Sequence, residues 1–117
     1  YLTDKATIEI KGIYGDKVFE TPKPVELMKD LIDCCSSKDA VVLDFFAGTG
    51  TTAQAVYELN RSTNANRKVI LVEQPQPINE THIAKKNGFS TTADITEFRL
   101  TAIQKENPEF NYSVFEI

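Results

Sequence analysis

Asp44, Gly48, Gly50 and Thr51 lie within eight residues, and Glu73 closes the next apolar run. Carboxylates accept hydrogen bonds from a ligand's ammonium or hydroxyl groups. Glycine lets backbone approach a ligand where a Cβ would collide. The full stretch is Asp44-Phe45-Phe46-Ala47-Gly48-Thr49-Gly50-Thr51-Thr52, preceded by Ala40-Val41-Val42-Leu43. Thr52 to Leu59 then reads as the start of a helix. Strand, glycine turn and helix in this order are the layout of a nucleotide-type ligand site. The amides that open such a helix have no partner within it and point outward.

Gly48, Gly50 and Ala53 match the dinucleotide fingerprint G-x-G-x-x-[G/A], with Glu73 at about the distance that would meet a ribose. No lysine follows the glycines, which excludes a triphosphate P-loop. Asp44 opposes a pyrophosphate, because two unit charges ~4 Å apart at a partly exposed site repel by ~4 kcal/mol. A cationic ligand reverses that sign. S-adenosylmethionine carries a sulfonium and an ammonium group, and its ribose hydroxyls suit Glu73. Simpler roles stay open at this point: a helix cap for Asp44, an exposed strand-end acid for Glu73, a core ring for Phe46 and a solvated residue for Lys23.

The elements that must position these residues fit into 117 residues, enough for one domain with a modest core. The reading is an α/β chain, a partial Rossmann-like sheet, with residues 1–20 an uncertain lead-in and 21–117 the ligand-binding core. Residues 1–20 allow a hairpin around Gly12 and Gly15, or a helix over about 5–13. Pro24 suits the first position of a helix running to about Ser37, with Val25, Met28, Leu31, Ile32 and Cys35 on its apolar side. Strands are expected near 40–45 and, of the buried type, over 68–73, with a helix near 51–61 between them. A short helix is expected from Asn79 or Glu80 to Asn87, stopped by Gly88. Asp94 to Glu97 reads as a capping box ahead of a helix lined by Ile95, Phe98, Ala102 and Ile103. Tyr112 to Ile117 alternates like a strand.

Net charge is −4, and the first 60 residues hold 10 acidic against 6 basic groups, so neither half is a self-sufficient DNA-binding surface. No apolar run approaches membrane length and no basic-apolar leader opens the chain, which points to a cytoplasmic protein. Adjacent Cys34 and Cys35 have no metal-ligand spacing and are expected to be buried or half-buried thiols in a reducing compartment. A start at Tyr1, with Met28 the only methionine, suggests a piece of a longer polypeptide.

The turn and its approach carry a specific resemblance. Val42 to Thr52 resembles motif I of amino-type DNA methyltransferases, and Lys17 to Leu27 resembles their motif X. Val69 to Glu73 corresponds to motif II. Gly88 to Ile95, Glu97-Phe98-Arg99 and the late Ser113-Val114-Phe115 resemble the C-terminal part of the modification subunit of type III restriction-modification systems. The likeness runs from about residue 5 to the end. It implies S-adenosylmethionine as cofactor and an N6-adenine target. It assigns Phe46, Gly48, Gly50 and Thr51 to the cofactor, Asp44 to its amino group, Glu73 to its ribose, and Thr21 and Lys23 to its methionine tail. Implied partners are DNA, held by the rest of the protein, and a restriction subunit or a second copy.

The family's Asp/Asn-Pro-Pro-Tyr/Phe loop, which aligns and stacks a flipped base, does not occur in this chain. Asn107-Pro108-Glu109-Phe110 is the nearest approach, but it follows a helix and reads as a helix stop and turn. His82 has no nucleophile beside it and reads as a surface residue. No catalytic residue and no metal ligand is assigned, and the chain alone is expected to be inactive. A non-catalytic docking module and a dinucleotide-binding oxidoreductase fragment are the alternatives.

Overall fold

A computed structural model describes residues 3–19 and 22–117. In chain order the elements are α1 (Thr3–Tyr14), α2 (Val25–Cys35), β1 (Val41–Asp44), α3 (Thr51–Thr63), β2 (Lys68–Leu71), α4 (Ile83–Lys86) and α5 (Thr92–Glu106). Among the described residues no helix is long and apolar enough to cross a membrane.

Of the two structures open to the lead-in, the helix forms. Ala6, Ile10 and Tyr14 recur every fourth residue and are all buried, which is one face of a helix. Gly15 ends it with φ +79°, its amide returning to the Lys11 carbonyl at 2.8 Å. Ile10, Tyr14 and Val18 then pack with Ala84, Phe89 and Ile95, so the lead-in belongs to the core.

Pro24 sits one position earlier than expected, at the N-cap of α2. Val25 and Ile32 are buried, whereas Leu31 is half exposed, because six residues at ~100° each carry it about 120° away from Val25. Cys34 and Cys35 are both exposed, contrary to their expected burial. Cys34 falls on the side opposite Val25, and Cys35 occupies the helix end.

The sheet is two parallel strands, with Val42 opposite Val69 and Asp44 opposite Leu71. Val42 and Val69 pack on Val25, Ile32, Ala55, Val56 and Leu59 of α2 and α3. On the other face Val41, Leu43 and Ile70 stand 59, 49 and 52% exposed. The run 68–73 therefore does not form a strand buried on both sides: its alternate residues face solvent. A third cluster holds Ala53, Leu100, Ile103 and Phe110 against Val69 and Leu71.

The capping box of α5 lies three residues earlier than expected. Thr91 Oγ1 accepts from the Asp94 amide at 3.3 Å, and Asp94 Oδ2 accepts from the Thr91 amide at 2.8 Å. The buried side of α5 is Ile95, Thr96, Arg99, Leu100 and Ile103, turned by about a quarter-turn from the expected side. That rotation brings Thr96 and Arg99 beneath the glycine turn. α4 is a single turn with His82 as its N-cap, and Gly88 follows with φ +92°. Beyond Phe110 no strand forms, and Val114 and Phe115 are exposed. Alternation alone cannot make a strand without a partner to pair with.

Thr91→Ala removes the hydroxyl that receives the Asp94 amide. It should lower stability by ~1 kcal/mol, read as a lower urea midpoint at unchanged slope, while Thr91→Ser, which keeps the hydroxyl, should retain most of the stability.

Candidate functional site at the strand ends

β1 ends at Asp44, and the chain turns over the C-terminal edge of the parallel pair, where open α/β sheets bind ligands. Asp44 is half-buried and closes the turn onto itself. Its Oδ1 accepts from the Phe46 amide at 3.0 Å, and its Oδ2 accepts from the Thr52 hydroxyl at 2.6 Å. Glu73, just beyond β2, accepts from the Gly48 amide at 2.6 Å through Oε2. The Ala47 amide donates to the Val72 carbonyl at 3.1 Å, and the Gly50 amide to the Ala47 carbonyl at 2.8 Å. Four amides of the turn, those of Phe46, Ala47, Gly48 and Gly50, are thus satisfied internally, two of them by the carboxylates.

Asp44, Phe46, Gly48 and Glu73 come together at this edge. Phe46 is 89% exposed, which removes the core role for its ring. Gly50 and Thr51 lie deeper: Thr51 is buried, and its hydroxyl is 3.0 Å from that of Thr49. Lys23 stands exposed just ahead of α2, and no hydrogen bond or ion pair among the described residues ties it to Asp44 or Glu73. Thr21 lies outside the described residues.

The glycines serve the protein's own packing. Gly48 has φ +55°, and a Cβ there would meet Phe19 Cζ at 3.3 Å. Gly50 has φ +77°, and a Cβ there would meet Thr96 and Arg99 at ordinary contact distance, so its backbone angle is the stricter demand. The turn is glycine-rich because it is left-handed twice and packed from both sides.

Two helices hold the turn from beneath. Thr96 Oγ1 donates to the Gly48 carbonyl at 2.6 Å. Tyr14 Oη donates to the Ile95 carbonyl at 2.6 Å and lies 3.4 Å from the Thr49 carbonyl. Burial pushes the Tyr14 phenol above its ordinary range, with nearby Arg99 opposing, so it stays a neutral donor. Arg99, fully buried, donates from Nε to Gln54 Oε1 at 2.9 Å and from Nη1 to Thr49 Oγ1 and Thr51 Oγ1 at 3.1 and 3.0 Å. Sequence reasoning assigned none of Tyr14, Thr96 and Arg99 to the site. A signal existed for Arg99, which stands four residues from both Ile95 and Ile103 on the apolar stripe of α5.

The remaining candidates have structural positions. Asn107 is the C-cap of α5, Phe110 is buried, and Glu109 accepts a hydrogen bond from Tyr57. That segment is the helix stop and turn expected of it. His82 Nδ1 accepts from the Ala84 amide at 3.1 Å and caps α4. Among the described residues no three His, Cys, Asp or Glu side chains converge where a metal ion could sit.

A family model described as DNA methylase matches residues 3–105. The chain is 46% identical over 117 residues to the type II methyltransferase M.KpnI of Klebsiella pneumoniae, a match covering 100% of this chain and 28% of that protein. It is 42% identical over 107 residues to the Mod subunit of the type III restriction-modification enzyme EcoPI of Escherichia phage P1, covering 92% of this chain and 17% of the subunit. With the StyLTI Mod subunit of Salmonella typhimurium the identity is 45% over 107 residues, covering 88% and 16%. The chain therefore spans less than a third of each of these relatives.

Gly48→Ala forces a Cβ into a left-handed residue against Phe19. It should cost ~1–2 kcal/mol in urea unfolding, and adding Phe19→Leu should recover the contact share of that loss but not the backbone share.

Proposed function

The chain belongs to the DNA methylase family, and we propose that it forms the S-adenosylmethionine-binding part of a DNA adenine (N6) methyltransferase of a restriction-modification system. The observation that carries this reading is the pair of half-buried carboxylates, Asp44 and Glu73, at neighbouring ends of parallel strands beside the open Phe46 ring. The donor set suits the cofactor. Each Asp44 oxygen accepts one bond and has capacity for another, which fits an ammonium group. Glu73 spends Oε2 on Gly48, and no hydrogen bond to Oε1 is formed among the described residues, which suits ribose hydroxyls. Phe46 offers an apolar face for the adenosine. Gly48 and Gly50 shape the cradle, and Thr51 supports it from inside. Lys23 and Thr21 belong to the approach from α2.

When bound, S-adenosylmethionine supplies an electrophilic methyl group on its sulfonium. The chain's own task is orientation: Asp44 and Glu73 fix two ends of the cofactor, and internal hydrogen bonds hold the turn between them. Rate enhancement from such a site is alignment rather than acid-base chemistry. The relatives' greater length and the exposed apolar face of Val41, Leu43 and Ile70 support a chain that completes a larger Rossmann-like sheet in the intact protein. The base-binding loop, the DNA contacts and any restriction subunit or second copy would engage that larger protein. The chain alone would then be inactive.

Isothermal titration of the intact protein tests the reading. S-adenosylmethionine should bind and NAD should not. Asp44→Asn, which keeps shape and one of the two internal acceptor oxygens, and Glu73→Gln, which keeps the oxygen bonded to Gly48, should each weaken binding on the order of 10- to 100-fold, the range of one charged hydrogen bond. Binding of NAD in place of the methyl donor would overturn the assignment, and binding of neither would favour a docking module.

A further inference from the structure

We propose that Arg99 is a positioning residue for the cofactor site, holding the Gly48–Thr51 turn in its working shape through the hydroxyls of Thr49 and Thr51. The inference rests on the reading of that turn as the S-adenosylmethionine cradle, and adds to it a residue that need not touch the cofactor.

Arg99 is 0% exposed, a rare place for a guanidinium. Its hydrogen-bond acceptors among the described residues are all uncharged: Gln54 Oε1, Thr49 Oγ1 and Thr51 Oγ1. Its Nη2 is buried and has no partner among them. Burial pulls its pKa down, and Tyr14, Glu9 and Glu58 act against that; arginine stays charged in proteins. A desolvated cation on neutral acceptors is a poor stabilising device, and a well-packed apolar side chain would often serve the core better.

What the guanidinium does supply is geometry. One nitrogen, Nη1, reaches two hydroxyls that are 3.0 Å from each other and stand on either side of Gly50. Gly50, at φ +77°, is one of the two residues of the turn whose backbone has the most alternatives. Nη1 pins its two neighbours at fixed separation, and the planar guanidinium holds Nη1 fixed relative to Nε, which is anchored on Gln54 one turn into α3. Thr49 and Thr51 are 3 and 5% exposed, so these bonds sit on the inner side of the turn. The half-buried Asp44 and Glu73 lie on its ligand side. The left-handed glycine is thereby locked without occupying the ligand face. Lysine, a single point charge on a flexible stem, cannot reproduce this fork.

Two readouts on the intact protein test the proposal. The first is S-adenosylmethionine affinity at a temperature where each variant is folded. Arg99→Met and Arg99→Lys should each weaken binding about tenfold, as for one lost charged hydrogen bond. Thr49→Val should weaken it several-fold, Thr49→Ser should restore it, and Arg99→Met with Thr49→Val together should be no worse than Arg99→Met alone. A lowered melting temperature with unchanged affinity, or losses that simply add, would overturn the proposal. The second readout is hydrogen exchange without cofactor. Arg99→Met and Thr49→Val should speed exchange of the turn amides about tenfold relative to those of β1, and equal protection would also overturn it. If the unmutated protein fails to bind S-adenosylmethionine, the cofactor reading falls, and the exchange readout still decides whether Arg99 orders the turn. Should Arg99→Met not fold, Thr49→Val carries both readouts.

Discussion

The amide of Gly48 donates to Glu73 Oε2 at 2.6 Å, and this bond joins the end of β2 to the turn that leaves β1. A charged acceptor makes it roughly twice as strong as a neutral pair. It depends on parallel pairing, since only strands running the same way bring both C-terminal ends, and so both acids, to one edge. Asp44 adds the second closure by receiving the Phe46 amide and the Thr52 hydroxyl. The turn is therefore held by the same two carboxylates that are proposed to meet the cofactor. Substituting either acid changes cradle and contact together, which is why isosteric amides are the informative variants.

Beneath that edge, α1 and α5 bring hydrogen-bonding side chains where packing alone would call for apolar ones. Thr96 takes the Gly48 carbonyl, Tyr14 approaches the Thr49 carbonyl, and Arg99 takes the hydroxyls of Thr49 and Thr51. A left-handed turn exposes carbonyls and amides that no regular element satisfies, and buried ones must be paired. The helices around the sheet thus satisfy and rigidify the turn as well as cover the core. The open face of β1 and β2 is the reverse situation, apolar side chains that nothing among the described residues covers.

Local features were legible in the sequence, and relational ones were not. The apolar run, the two glycines and the following helical period are short-range signals, and they placed β1, the turn and α3 correctly. Glu73 was legible as a strand-end acid, but its bond to Gly48 spans 25 residues and had no local signature. The spacing of Ala6, Ile10 and Tyr14 competed with the alternation of Ile8 and Ile10, and burial against Phe89 and Ile95 decided for the helix. Ser113 to Ile117 alternates convincingly, yet pairing is a property of two strands. Arg99 stands on the apolar stripe of α5, and its partners arrive from a helix and turn nearly fifty residues away in sequence, beyond the reach of any local pattern.

The most direct measurement is a crystal structure of the intact protein with S-adenosylmethionine bound. The cofactor's amino group should lie within hydrogen-bond distance of an Asp44 carboxylate oxygen and its ribose hydroxyls against Glu73 Oε1, with the Gly48 amide still on Oε2. A cofactor seated away from the Asp44–Glu73 edge, or one whose arrival pulls Glu73 from Gly48, would contradict the account.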